Sequence, residues 1–246
     1  MSRNSIFKTP DDVARSAGEI LIEQAGTTLA ENGRFTVALS GGSTPKRMYD
    51  DLAQRGEHHD LLRKIDVFWG DERHVPPDHP DSNFGAAKQH FLDRLDIPDE
   101  RVHRIPAEEA DADRAAERYE RTLIDFFQLG PKQVPRFDLI FLGMGPDGHT
   151  ASIFPGTTAV QEADALVTAP WVEKFDTHRI TLTWPVINNA KRVIFLVTGG
   201  DKAETLHEVQ HGEHDPDRLP SQLIAPDEGE LLWMLDEAAA SALPGS

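Results

Sequence analysis

FDLIFLGMGPDGHTASIFPG, residues 137–156, is the stretch on which the fold turns. Its apolar run, Phe137 to Leu142, reads as a buried strand and passes straight into a glycine-rich turn. The same plan recurs three times. Phe35–Leu39 precedes SGGST (40–44), Ile65–Trp69 precedes GDERH (70–74), and Arg192–Val197 precedes TGGDK (198–202). Ile180–Thr183 and Leu231–Leu235 are further strand candidates. Stretches of helical periodicity separate these runs, and that alternation predicts an α/β fold with a mainly parallel sheet covered by helices. Ligands of open α/β sheets bind beyond the carboxyl ends of the strands, so the four loops are expected on one functional rim.

Between the second and third loops, Ala112, Ala115, Ala116, Tyr119, Leu123 and Phe126 recur at helical spacing within the acidic stretch 107–128, which predicts a helix on the sheet with a solvated acidic face. Neither repeats nor a Ser/Gly-rich linker divide the chain, so residues 1–246 are expected to form a single domain, with the tail from Ala238 fraying.

Composition narrows the partners. Asp and Glu number 42 against 25 Lys and Arg, a net charge of −17, which disfavours nucleic acid and anionic membrane surfaces. An anionic ligand therefore needs a locally basic pocket. With no cysteine, disulfides, thiolate zinc sites and cysteine nucleophiles are excluded. The opening MSRNSIFKTPDD has no apolar core of a signal peptide, and no run reaches the length of a membrane helix, so the cytoplasm is the expected compartment.

Gly143, Gly145 and Gly148 match the dinucleotide fingerprint G-x-G-x-x-G, but that site needs the third glycine to open a long helix. Pro155-Gly156 follows too soon for one, and Asp147 would set a negative charge beside a pyrophosphate. NAD binding is disfavoured. Ser40-Gly41-Gly42-Ser43-Thr44 is the better phosphate cradle: it follows a strand, and Thr44-Pro45 offers an N-cap and a first-turn proline for a helix through Met48, Leu52 and Ala53. Thr198-Gly-Gly-Asp-Lys202 repeats the design with a lysine attached. His207-Glu-Val-Gln-His211 matches the zinc pattern H-E-x-x-H, yet Ala203, Leu206 and Val209 form that helix's apolar stripe, which leaves the histidines on its flank, and Gly212 ends the helix at once.

LGMGPDGHTASIFPG, taken with SGGSTP, WGDERHVPPDHPDSNFG and RITLTWPVINNAKRVIFLVTGGDKA, resembles the 6-phosphogluconolactonase family in order and approximate spacing over residues 35–205. The resemblance implies a three-layer α/β/α fold shared with glucosamine-6-phosphate deaminase, and hydrolysis of 6-phospho-D-glucono-1,5-lactone to 6-phosphogluconate in the oxidative pentose phosphate pathway. It implies no metal and no organic cofactor.

That reaction needs an activated water, a group that stabilises the oxyanion, and a handle for the distant phosphate. An imidazole suits the first task, and His149 matches the family's proposed general base. Asp147 either orients that imidazole or binds a sugar hydroxyl. The phosphate is assigned to the backbone and hydroxyls of residues 40–44, with Arg179 and Lys202 as its cations. Arg73 is expected to point into the rim, toward the phosphate or the developing oxyanion, the alternative being a surface salt bridge to Asp71 or Glu72. Asn83 matches a family position as a substrate contact or a loop former, and Asp71 stands where the deaminase branch carries an aspartate. That branch also carries a glutamate five residues after the histidine, where this chain has Phe154. The loss of this ionisable group favours hydrolysis over deamination. A noncatalytic sugar-phosphate sensor is the alternative of another class, and a monomer is expected.

Overall fold

The computed structural model describes residues 3–244. In chain order its strands are β1 (Arg3–Phe7), β2 (Thr36–Leu39), β3 (Asp66–Trp69), β4 (Asp71–Arg73), β5 (Val102–His103), β6 (Leu139–Leu142), β7 (Val167–Thr168), β8 (Trp171–Val172), β9 (Thr177–Leu182), β10 (Arg192–Val197) and β11 (Glu230–Asp236). Seven form a parallel sheet in the order β1-β11-β10-β6-β2-β3-β5. Every residue of β2, β3 and β6 is buried, as expected of strands covered on both faces.

The chain moves from β1 to β2, β3 and β5 in one direction, then returns to β6 and runs through β10 to β11 in the other. Right-handed crossovers therefore put helices on both faces, giving a three-layer α/β/α fold whose topological switch lies between β2 and β6. Pro10–Asn32, capped by Thr9 at one end and by left-handed Gly33 at the other, packs along Ser43–Gln54.

Buried hydrogen bonds fix the central strands at both ends. At the foot, the Asp138 carboxylate accepts from the Thr36 amide (2.8 Å) and hydroxyl (2.9 Å) and pairs with Lys191 (2.7 Å), which locks β2 to β6. At the top, both tyrosines of the chain are fully buried and tie helices to strand ends. Tyr49 donates to the Ser40 carbonyl at 2.7 Å, and the Tyr119 hydroxyl accepts from the Trp69 amide (3.0 Å) and donates to the Trp69 carbonyl (2.9 Å).

Several sequence expectations need correction. Of the strand candidate Ile180–Thr183, Ile180 to Leu182 belong to β9, which lies outside the parallel sheet and pairs antiparallel with β4, β7 and β8, and Thr183 precedes the helix Trp184–Asn188. The helix in 107–128 spans Ala112–Phe127, because the Asp111 carboxylate caps it by accepting from the amides of Asp113 and Arg114. Thr44 is not a cap. Gly42, at φ +110°, occupies that place, and the Thr44 hydroxyl bonds Thr198 instead. The tail does not fray over the described residues: Asp236 caps Glu237–Ala240, and Ala239, Ala240 and Leu243 are buried.

Removing the Tyr119 hydroxyl strands both a buried N–H and a buried carbonyl at Trp69, whereas removing that of Tyr49 strands one carbonyl. Tyr119→Phe is expected to cost about 2–4 kcal/mol and Tyr49→Phe about half of that, measured by urea unfolding. Equal costs would contradict this accounting.

Candidate active site

The four glycine-terminated strands bring their loops to one cavity of about 210 Å³ at the switch point. Ser40 to Pro45 form one wall; Asp71, Arg73 and Asn83 a second; Gly143 to Gly145, His149 and Ala151 a third; Thr198 and Lys202 the fourth. Ten of the twelve site residues singled out in the sequence thus line a common space. Asp147 and Arg179 do not. Asp147 stands behind His149, and Arg179 faces Arg73 across the β4–β9 ladder.

Glycine makes the loops fit. A Cβ on Gly41 would sit 1.9 Å from Asn83 Oδ1, so the bare backbone of the cradle is what admits the asparagine. Asn83 in turn donates to the carbonyl (3.0 Å) and carboxylate (3.4 Å) of buried Asp71, whose other oxygen accepts from Ser152 (2.7 Å). Asn83 is therefore a loop former that also borders the cavity. Next to it, the helix Ser43–Gln54 presents its first-turn amides, the Thr44 and Thr198 hydroxyls join at 2.8 Å, and the buried Ser40 hydroxyl has no protein partner. Such an orphan beside a helix N-terminus suits an anionic ligand.

On the third wall, a Cβ on Gly145 would lie 2.2 Å from the His149 ring, and Gly148, at φ +76°, closes the turn with Leu219 packed where its Cβ would be. The turn sets His149 Nδ1 2.5 Å from Asp147 Oδ1. Hydrogen bonding from His149, assisted by Lys174, holds the Asp147 carboxyl well below the usual carboxylate range. An ionised carboxylate only accepts, so Nδ1 donates to it, and in the neutral tautomer that this bond selects the lone pair lies on Nε2. Phe154 stacks on the same ring at 4.0 Å.

The basic groups are set by Glu72, a residue whose part the sequence did not disclose. Its buried carboxylate accepts from the amides of Arg73, Asn83 and Phe84 and from the Ser82 hydroxyl, folding residues 74–84 back onto the rim. Burial pushes its carboxyl up, against those bonds. Arg73 makes no salt bridge to Asp71 or Glu72 among the described residues; it donates to the Asp81 carbonyl at 2.8 Å. Burial, then the nearby charge of Arg73, lowers the Arg179 pKa. Like charges opposed across a ladder are unfavourable until an anion sits near them. Lys202 borders the cavity while pairing with Asp201 at 2.9 Å.

Two motifs find other uses. No long helix follows Gly148, whose successors Thr150 and Ile153 close a turn, so the glycine fingerprint serves His149. In Ala203–His211, Ala203 and Leu206 are buried, and His207 and His211 lie 5.4 Å apart on the flank. Among the described residues, no group of three His, Asp or Glu could hold a metal ion.

A parallel sheet with a phosphate-sized cradle and a carboxylate-held imidazole beyond its switch point is the plan of an α/β/α enzyme acting on a small anionic substrate. Residues 8–233 match the family model described as glucosamine-6-phosphate isomerases/6-phosphogluconolactonase, and the chain belongs to that family. It is 46% identical over 231 residues to the 6-phosphogluconolactonase of Nostoc sp., covering 94% of this chain and 93% of that one. With the 6-phosphogluconolactonase of Rattus norvegicus it shares 40% identity over 245 residues, 97% and 93% of the two chains. The solved 6-phosphogluconolactonase of Trypanosoma brucei superposes with a TM-score of 0.89 at 30% identity, over 99% of each chain.

Gly143 and Gly145 separate conformational from steric demands. Nothing lies within 4 Å of a Cβ on Gly143, whereas one on Gly145 enters the His149 ring. Gly143→Ala is expected to melt like the wild type and Gly145→Ala to lose about 1–3 kcal/mol in thermal unfolding; matching melts for the two would contradict the fit described.

Proposed function

We propose that this chain hydrolyses 6-phospho-D-glucono-1,5-lactone to 6-phosphogluconate without a metal, as a single sugar-phosphate-binding unit of 246 residues working in the cytoplasm. The observation that carries the reading is His149 held by Asp147 at 2.5 Å, with Nε2 left for the cavity. Among the described residues no helix is long and apolar enough to cross a membrane.

In this mechanism the substrate phosphate rests on the first-turn amides of Ser43–Gln54, with Lys202 beside it. Water adds to the C1 carbonyl as His149 Nε2 takes its proton, and the imidazolium that forms is stabilised by Asp147. Arg73 offers positive charge to the phosphate or to the developing oxyanion, and Arg179, opposite it, adds to the same potential. Collapse of the tetrahedral intermediate breaks the C1–O5 bond. The ring oxygen leaves with the proton returned by His149, and the new carboxyl ionises to give 6-phosphogluconate. The proton taken from water returns to the ring oxygen, the proton of the new carboxyl passes to solvent, and the developing charge faces Arg73, Lys202 and the helix amides, so the scheme calls for no metal.

Phe154 supports hydrolysis over deamination. It packs on the imidazole where the deaminase branch carries a glutamate, and a phenyl ring cannot relay a proton. Asp71, buried and held by Ser152 and Asn83, is fixed at the cavity wall for a sugar hydroxyl.

The test follows freshly generated lactone by its rate of disappearance, against the spontaneous blank. The wild type is expected to exceed the blank and His149→Ala to fall about 10²–10⁴-fold below the wild type. A wild type indistinguishable from the blank would overturn the proposal, and equal rates for the two proteins would remove His149 as the base.

A further inference from the structure

The hairpin joining β8 to β9 touches both groups that hold His149. Its tip, Glu173–Phe175, is a single 3₁₀ turn closed by the Asp176 amide donating to the Glu173 carbonyl (3.1 Å), with Asp176 left-handed at φ +49°. That turn sends successive side chains to different targets. Lys174 Nζ reaches Asp147 Oδ2 at 3.1 Å, while Asp147 Oδ1 receives the His149 ring. Phe175 meets Phe154 edge-on at 5.7 Å, and Phe154 covers the face of the same ring at 4.0 Å. The hairpin is braced by Trp171 on His178, 5.1 Å across the ladder, and by the Trp171 indole donating to Glu173.

Neither Lys174 nor Phe175 lines the substrate cavity. Both are more than two-fifths exposed, Lys174 in its side chain and Phe175 as a residue, so neither position is dictated by a need to fill the core. A carboxylate with one oxygen on an imidazole is free to rotate its second oxygen into water. A cation fixed on that second oxygen removes the freedom and aligns the first with the Nδ1 proton.

We infer that Lys174 is a positioning residue for the reaction proposed above, clamping Asp147 from the hairpin so that His149 keeps its productive orientation. This rests on the reading of His149 as general base. The charged side chains that line the cavity with His149 are those of Asp71, Arg73 and Lys202, and among the described residues Lys174 is the Lys or Arg that pairs with the Asp147 carboxylate. Arg179 belongs to the same assembly at one remove, with its guanidinium 4.9 Å above the Phe175 ring. The tip therefore touches the supports of the base and one of the anion-binding cations.

The experiment compares wild type, Lys174→Met, Lys174→Arg, Asp147→Asn and the double variant Lys174→Met/Asp147→Asn. Because an exposed ion pair is weak, Lys174→Met is expected to lower kcat about threefold with KM unchanged, and Lys174→Arg to restore it. In the Asp147→Asn background, Lys174→Met is expected to have no further effect, since the carboxylate it clamps is gone. A second readout needs no turnover. The downfield proton resonance of His149 Nδ1–H, assigned by its absence in His149→Gln, is expected to be kept in Lys174→Arg and to broaden or move upfield in Lys174→Met. Equal kcat and an unchanged resonance in Lys174→Met would overturn the inference, as would a raised KM or an effect that persists without the Asp147 carboxylate. A wild type no faster than the blank would instead overturn the lactonase reading, and the resonance would still decide whether Lys174 holds Asp147.

Discussion

Close approach of backbone and side chain at three glycines is the constraint on which the rim depends. Asn83 lies where a side chain on Gly41 would be, His149 where one on Gly145 would be, and Leu219 where one on Gly148 would be. Each contact joins segments that are distant in sequence or folds a loop on itself, and each would be lost to a single methyl group. The Ser221 amide, donating to the Gly148 carbonyl at 2.9 Å, completes the hold on the histidine turn. Rigid placement of a base is what catalysis by proton transfer asks of a scaffold, and the proposed base, His149, is held by packing as much as by hydrogen bonds.

The electrostatics run against the background of the chain. With a net charge of −17, an anion is repelled by most of the surface, and the rim answers with Arg73, Arg179 and Lys202, helix amides and an unpartnered Ser40 hydroxyl. Arg73 and Arg179 stand in register across β4 and β9. Glu72 gives its carboxylate to backbone amides and Ser82, leaving the guanidinium of Arg73 to a carbonyl and the cavity.

The parallel sheet was legible in the sequence because strands buried on both faces are written as mainly apolar runs rather than alternating ones, and Phe35–Leu39, Ile65–Trp69 and Arg192–Val197 are such runs, each with a single polar residue. β1, RNSIF, lies at the sheet edge with three exposed residues and spells no such run; β5, β7 and β8, of two residues each, are too short to show a period. The cavity residues were legible where a glycine motif carried them. Those that hold them in place were not, because their partners are remote: Ser152 meets Asp71 across 81 positions and Thr44 meets Thr198 across 154. Lys174 gave no signal at all, since a lysine in a polar turn looks like any other until the fold sets it against Asp147.

The account stands most directly on how the substrate lies between the cradle and the imidazole. A crystal structure with 6-phosphogluconate bound would show it. The phosphate is predicted on the amides of residues 43–44 beside Lys202, with the C1 carboxylate within hydrogen-bond reach of His149 Nε2. A product bound the other way round, or outside this cavity, would contradict the account.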